Sequence, residues 1–405
     1  MVAALFTVNL GISIPLASFG VFLPIIAETF GWSRGAISTA LSINLLLGGL
    51  AGFALGALAD RHGPRLVLIV TVALAGAAFA LVSTVDALWQ LYLFVGVLGG
   101  IGMSSFYLLA ATTVAHWYDE GRGLALALAL IGFNLGYLVA GPLAASLIAT
   151  VGWRGAYACL GMSCGLVALL AAVTVRLPRP REVEAFRRPP RTVGPGRDDP
   201  LAPAAGFTLR EALADPRQWC LNLAWLLLGG TWLMLAVHVV PFARDQGISL
   251  TGASLALTAY ALGAVSGRLT AGSISDRIGL RPTVRAGYAL QIVALLVLVW
   301  VPSREALLCA LAMFGVGFAA ADTMITRVIP DVFGVRAIGA IMGVLTLGWR
   351  SGAALGPAAA GFLHDLTGSY AIPFGAAPVA VLLSWGLFTL GASPGRARAR
   401  HPLSA

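Results

Sequence analysis

Twelve apolar stretches, most of them about twenty residues long or longer, limit what this chain can fold into more than any motif it carries. They fall near 2–27, 36–58, 66–84, 88–115, 123–148, 154–175, 218–242, 251–274, 282–300, 305–329, 338–362 and 371–391. A helix rises about 1.5 Å per residue and a bilayer's hydrocarbon layer is about 30 Å thick, so about 20 residues cross it. Inside lipid only helices and closed barrels satisfy every backbone N–H and C=O. The runs are continuous, without the two-residue alternation of barrel strands, so they predict helices. Composition agrees: 59% of residues are hydrophobic and 11% charged, where soluble domains carry about 25% charged residues. The expected class is an all-α membrane protein with twelve transmembrane helices. Val2 to Leu23 lacks a basic lead and a small-residue cleavage site, so it is expected to be the first span, not a removed leader.

The formal charge of +9 suggests nucleic acid until its location is considered. All 26 basic residues are arginine, and they sit mainly between the spans. With the amino terminus in the cytoplasm, the cytoplasmic loops and tail hold 20 of them; the opposite loops hold Arg34, Arg154, Arg244 and Arg304. This bias predicts a multi-pass protein of the inner membrane with both termini cytoplasmic. The stretch from Arg176 to Gly206 is rich in proline, arginine and acids and has little to bury, so it separates two sets of six spans. The expected organisation is a first half at 1–175, a linker with an interfacial helix at 176–217, a second half at 218–391 and a tail at 392–405.

The halves share a turn. GALADRHGPR (Gly56 to Arg65) and GSISDRIGLR (Gly272 to Arg281) both read G-x-x-x-D-R-x-G-x-R, 216 residues apart, each between the second and third spans of its half. Ala140–Pro142 and Leu355–Pro357, in spans five and eleven, echo one another at nearly the same offset. Such internal repetition is a transporter signature. In each turn the glycines (Gly56 and Gly63; Gly272 and Gly279) permit tight turning and close helix approach. The acids (Asp60, Asp276) and the arginines (Arg61, Arg65; Arg277, Arg281) can pair or cap neighbouring helices, holding one conformation until the halves rock. The competing reading, a basic turn that serves topology alone, is weakened by the turn's occurring twice. The doubled turn resembles the major facilitator superfamily over the whole chain. That resemblance implies two six-helix pseudo-symmetric halves around a central cavity. FGWSRGAIS after span one, HVVPFARDQGIS after span seven and GRLTAGSISDRIG in span eight are similar to the monocarboxylate transporter family and its bacterial oxalate/formate antiporter-like relatives.

Two arginines and one acid lie within spans. Arg268 is eight residues before Asp276, or about 12 Å up the helix from the interface. Asp322 is at nearly the same depth in span ten, and Arg350 near the middle of span eleven. Each such charge costs about 2.5–3.5 kcal/mol on insertion scales, so the three are expected to face one another or a cavity. Two cations against one acid leave a net +1, which a substrate carboxylate could match through a guanidinium's paired donors. A purely structural triad is the competing reading.

The resemblance implies that Arg268 corresponds to the family's carboxylate-binding arginine and Arg350 to the span-eleven cation of the oxalate/formate relatives. It also implies an acid one turn before Arg268, where this chain has Ala264. Asp322 is therefore the candidate proton-coupling group, with His238 in span seven as a second titrating or substrate-binding group. Tyr107 and Ser105 of span four could offer hydroxyls to the cavity or simply pack. Asn134, the counterpart of Arg350, could face the cavity or bond between helices, while Leu16 and Phe133 would form apolar walls. The glycines spaced by four in spans two, five and eleven read as packing.

No Walker A loop, lysine, or histidine and cysteine cluster is present, so nucleotide use, Schiff-base chemistry, cofactors and metal ions are not expected. The chain is expected to be a non-enzymatic, monomeric, proton-coupled symporter of a small monocarboxylate, by alternating access in the lipid bilayer. An exchanger of dicarboxylates, a drug exporter and a flux-less receptor are the alternatives.

Overall fold

A computed structural model describes residues 1–117, 122–176, 206–300, 303–334 and 336–393. The linker at 177–205 and the tail from 394 lie outside these. Among the described residues nine helices are long and apolar enough to cross a membrane. One of them, Leu128–Thr174, contains two passes that meet at Gly152, a non-helical residue with φ 72°. The broken helix at 88–117 and Ile338–Thr367 bring the passes to the expected twelve.

The passes are α1 (Val2–Phe30), α2 (Arg34–His62), α3 (Pro64–Leu81), α4 (88–117), α5 (122–151) and α6 (153–174). The second six are α7 (Pro216–Asp245), α8 (Leu250–Ile278), α9 (Leu280–Trp300), α10 (Arg304–Phe333), α11 (Ile338–Thr367) and α12 (Ala371–Gly391). Local chemistry sets their ends. Ser33 and Ser249 each accept a backbone N–H three residues ahead and so start α2 and α8. Each of those helices runs to a glycine with positive φ, Gly63 at 83° and Gly279 at 92°, and the next helix begins one residue later. The repeated turn thus has one backbone shape in both halves. Of its side chains, Arg61, Arg65, Arg277 and Arg281 are exposed. Those of Asp60 and Asp276, with Gly56 and Gly272, lie outside the described residues.

The irregular pass is α4. A wide turn over Tyr92–Leu98 precedes Gly99–Gly102, and the helix resumes only at Phe106. Asn44 of α2 donates to the Val95 carbonyl at 2.7 Å, tying the loosened turn to its neighbour.

Helices of each half pack mostly on one another: α1 on α5, α3 on α6, α8 on α10 and α7 on α11. Small residues bring them close, as the sequence predicts. A Cβ at Gly76 would sit 2.9 Å from the Gly165 backbone, and one at Gly352 would strike the Leu226 carbonyl. The halves meet through α2 with α11, α5 with α8 and α1 with α7. Outward faces carry exposed Leu50, Leu170, Trp300 and Leu383, the pattern of a surface solvated by lipid.

A short helix precedes α7. Thr208 and Glu211 form a reciprocal capping box at the start of the short helix Leu209–Ala214. The strand-like bridge between Gly206 and Gly334, with Phe207 donating to the Phe333 carbonyl at 2.8 Å, docks this segment on the end of α10. That end of the bundle is the linker end, and the opposite one, with Gly31, Gly152, Gly247 and Gly368, the distal end.

Candidate functional site

A cavity of about 370 Å³ lies between the halves, lined by α1, α2, α4, α5, α7, α8, α10 and α11. Arg268, Asp322 and Arg350 all face it, as do Leu16, Phe133 and Asn134. The helix register that placed these side chains at one depth thus also turns them inward.

Their pairing is unequal. Arg268 reaches Asp322 at 3.4 Å, with side chains 42% and 26% exposed. Arg350 has no acidic partner among the described residues. Its guanidinium lies against α2, where a Cβ built on Gly48 or on Gly49 would come within 3.8 Å of Nη1. The two adjacent glycines leave space on α2 for the Arg350 side chain.

Other expected site residues are placed elsewhere. The Ser105 hydroxyl shares a 2.8 Å hydrogen bond with Thr71 of α3 and is 1% exposed, so it is spent between helices. The side chain of Tyr107 lies outside the described residues. His238 is fully buried but does not line the cavity. Its Nε2 is 2.8 Å from the Pro357 carbonyl, which only accepts, so Nε2 carries the proton. Ser38 Oγ approaches the same nitrogen at 3.2 Å, and Nδ1 accepts from the Tyr370 hydroxyl at 2.8 Å. His238 therefore belongs to the distal closure and not to the anion site.

That closure is the part sequence reasoning missed. Arg34 donates to both carboxylate oxygens of Asp245, at 2.7 and 2.8 Å. Asp365 accepts the N–H groups of Arg34 and Gly35 at 2.9 and 2.8 Å, capping α2 from α11. Ser42 donates to the Ala354 carbonyl, and Thr258 to that of Leu138 at 2.6 Å. These bonds join the halves on the distal side of the cavity, while Arg268, toward the linker end, keeps substantial exposure. The cavity is thus shut at the distal end and reached from the linker end.

Aromatic side chains were also missed. Tyr137, Trp225, Trp232, Tyr260, Phe318 and Trp349 line the cavity, and five helices contribute them, so no local pattern announces the group.

The family model described as Major Facilitator Superfamily matches residues 2–249 and 228–404. Human monocarboxylate transporter 11 is 30% identical over 385 residues, spanning 92% of this chain and 78% of that protein. The oxalate:formate antiporter of Oxalobacter formigenes is 26% identical over 273 residues, spanning 67% of this chain and 61% of that protein. Among solved structures, a bacterial homolog of the human lysosomal transporter Spinster, in an inward-facing and occupied conformation, superposes with a TM-score of 0.80 at 18% identity. That match covers all of this chain and 98% of the other.

Proposed function

Since the chain belongs to the major facilitator superfamily and is a multi-pass membrane transporter, we propose that it carries a small monocarboxylate of the lactate and pyruvate kind together with a proton. The observation that carries this reading is Arg350, a cation facing the cavity without an acid partner among the described residues, beside an Arg268 that Asp322 only partly satisfies. Two guanidinium groups and one carboxylate leave a charge of +1, which one carboxylate substrate neutralises. Protonating Asp322 raises the empty site to +2 and frees Arg268, so proton and anion favour one another's binding. The monocarboxylate transporters among the relatives support the substrate class.

In this reading the halves, 1–175 and 218–391, rock about the cavity as a monomer. The arginine bias supports a cytoplasmic linker end in an inner membrane, with both termini on that side. The conformation described would then face inward. A second reading, exchange of dicarboxylates, draws on the presence of two arginines at one cavity and on the oxalate:formate antiporter.

Uptake of labelled lactate into proteoliposomes separates them. Symport predicts accumulation driven by an inward proton gradient and lost in Asp322→Asn. Uptake that ignores the gradient but requires internal oxalate or formate assigns exchange instead.

A further inference from the structure

The cavity has a polar floor and an aromatic roof. Asp322, Arg268 and Arg350 lie toward the linker end. On α8 and α10 aromatic rings sit closer to the distal closure, while Trp349 of α11 lies at the level of Arg350. Phe318 precedes Asp322 by four residues on α10, about 6 Å, and Tyr260 precedes Arg268 by eight on α8, about 12 Å. Trp232 is the hub of this roof. Its ring centre lies 5.9 Å from Phe318, 5.5 Å from Trp349 and 5.8 Å from Tyr137 of the other half. The series continues through Phe133, 5.4 Å from Tyr137.

The roof shows mostly carbon to the cavity. The Trp232 indole N–H is spent on the Tyr260 hydroxyl, which keeps its own O–H as a donor among these rings. Trp225 differs. It is 6% exposed and lines the cavity one level lower, and its indole N–H faces the Asp322 carboxylate without making a hydrogen bond of ordinary geometry. A buried donor held this loosely is one that a ligand oxygen can engage.

Size points the same way. A void of about 370 Å³ is within the range of about 300–1,000 Å³ that holds drug-sized ligands. Oxalate or lactate would leave the roof unfilled. A ring set against other rings instead gains both apolar burial and the favourable offset or edge geometry of aromatic pairs.

We propose that the preferred substrate is a 2-oxo or 2-hydroxy monocarboxylate bearing an aromatic side chain. Its carboxylate binds at Arg350, its 2-oxygen at the Trp225 N–H, and its ring under Trp232 and Phe318. This rests on the carboxylate reading above and narrows it from the acid group to the body attached to it.

The test uses the full-length protein in proteoliposomes with phenylpyruvate, pyruvate and the neutral 3-phenylpropan-1-ol as competing probes against labelled phenylpyruvate. Phenylpyruvate is expected to bind about tenfold or more tightly than pyruvate. Trp232→Leu and Phe318→Leu, each apolar but ringless, should remove most of that preference by weakening phenylpyruvate several-fold more than pyruvate. Equal affinity of the wild-type protein for the two acids overturns the proposal, as does equal weakening of both acids by either variant. In both cases the carboxylate reading stands. The wild-type comparison decides even if neither variant folds. If the alcohol binds as well as phenylpyruvate and pyruvate does not bind at all, the carboxylate reading itself fails.

Discussion

Arg34 and Asp245, 211 positions apart in sequence, meet fork to fork at 2.7 and 2.8 Å and join the first half of the transporter to the second. Arg34 is also 5.3 Å from the centre of the Tyr370 ring, whose hydroxyl bonds to His238. Cation, ring and imidazole thus form one continuous closure above the cavity. Its members come from α2, from α7, and from the α11–α12 region.

Removing one end of that closure should change how the carrier partitions between states, with little effect on folding. The pair is partly exposed, 17% and 39% by side chain, so it contributes at most about 1 kcal/mol. Asp245→Asn is expected to raise the distal-open population about fivefold. Spin labels on the distal ends of α2 and α11 would report it as a longer distance. An unchanged distance distribution would show that the pair does not hold the closure.

Arg350 and Arg268 should not be equivalent. Arg350→Ala leaves the anion without its unshared cation and should weaken phenylpyruvate or lactate binding by about 10- to 100-fold, since a charged hydrogen bond contributes about 1.5–3 kcal/mol. Arg350→Lys restores charge without the paired donors and should recover part of the loss. Arg268→Ala also leaves Asp322 without its cation, so adding Asp322→Asn should recover part of its defect, whereas it should not rescue Arg350→Ala. Calorimetry on the purified single and double variants separates the two patterns.

Gly141 of α5 touches the Ser254 backbone of α8, too closely for any Cβ. Gly141→Ala should keep the distal ends of α5 and α8 apart and disfavour the state described here, because the obstacle is backbone and cannot swing aside. The expected result is increased labelling of a distal-side cysteine reporter together with reduced transport. A variant with normal transport and normal labelling would remove this contact from the mechanism.

The start of α7 carries a separate pH dependence. Asp215 caps that helix through the Arg217 N–H and pairs with the Arg217 guanidinium at 2.6 Å, which together hold its carboxyl below the usual range. Its folded pKa lies below its unfolded one. The stabilisation is therefore present above the unfolded value, about 3.9, and is lost as pH falls through the folded one. Asp215→Asn keeps a capping oxygen but not the charge. It should lower thermal stability slightly at pH 7, by less than about 1 kcal/mol, and the difference should shrink as pH falls through the folded value. A melting series of both proteins across that range checks the sign.

The parts legible in sequence were those with a local cause. Span lengths follow from apolar runs, and the twin turns at Gly63 and Gly279 follow from a repeated motif whose glycines adopt positive φ. Arg268, Asp322 and Arg350 were legible because a charge in lipid must face a cavity or a partner. His238 and Ser105 show the limit. Depth could be counted along a helix, but the neighbour each would meet, Tyr370 or Thr71, depends on packing between distant elements. The closure and the aromatic roof were hidden for the same reason. Arg34 finds Asp365 across 331 positions, and the rings of the roof are single residues scattered over separate helices.

The distal closure consists largely of hydrogen bonds that water can replace: the forked pair, the capped N–H groups of Arg34 and Gly35, and the exposed rim about Asp245. Opening it exchanges protein partners for solvent at small net cost. The transport cycle is therefore also a hydration cycle, in which the distal face takes up water on opening and gives it up on closing. Solutes too large to enter the cleft and excluded from the protein surface should favour the shut form in proportion to the water released. If the carrier works by alternating access as proposed, osmotic pressure should bias its conformation through a handful of groups far from its cargo.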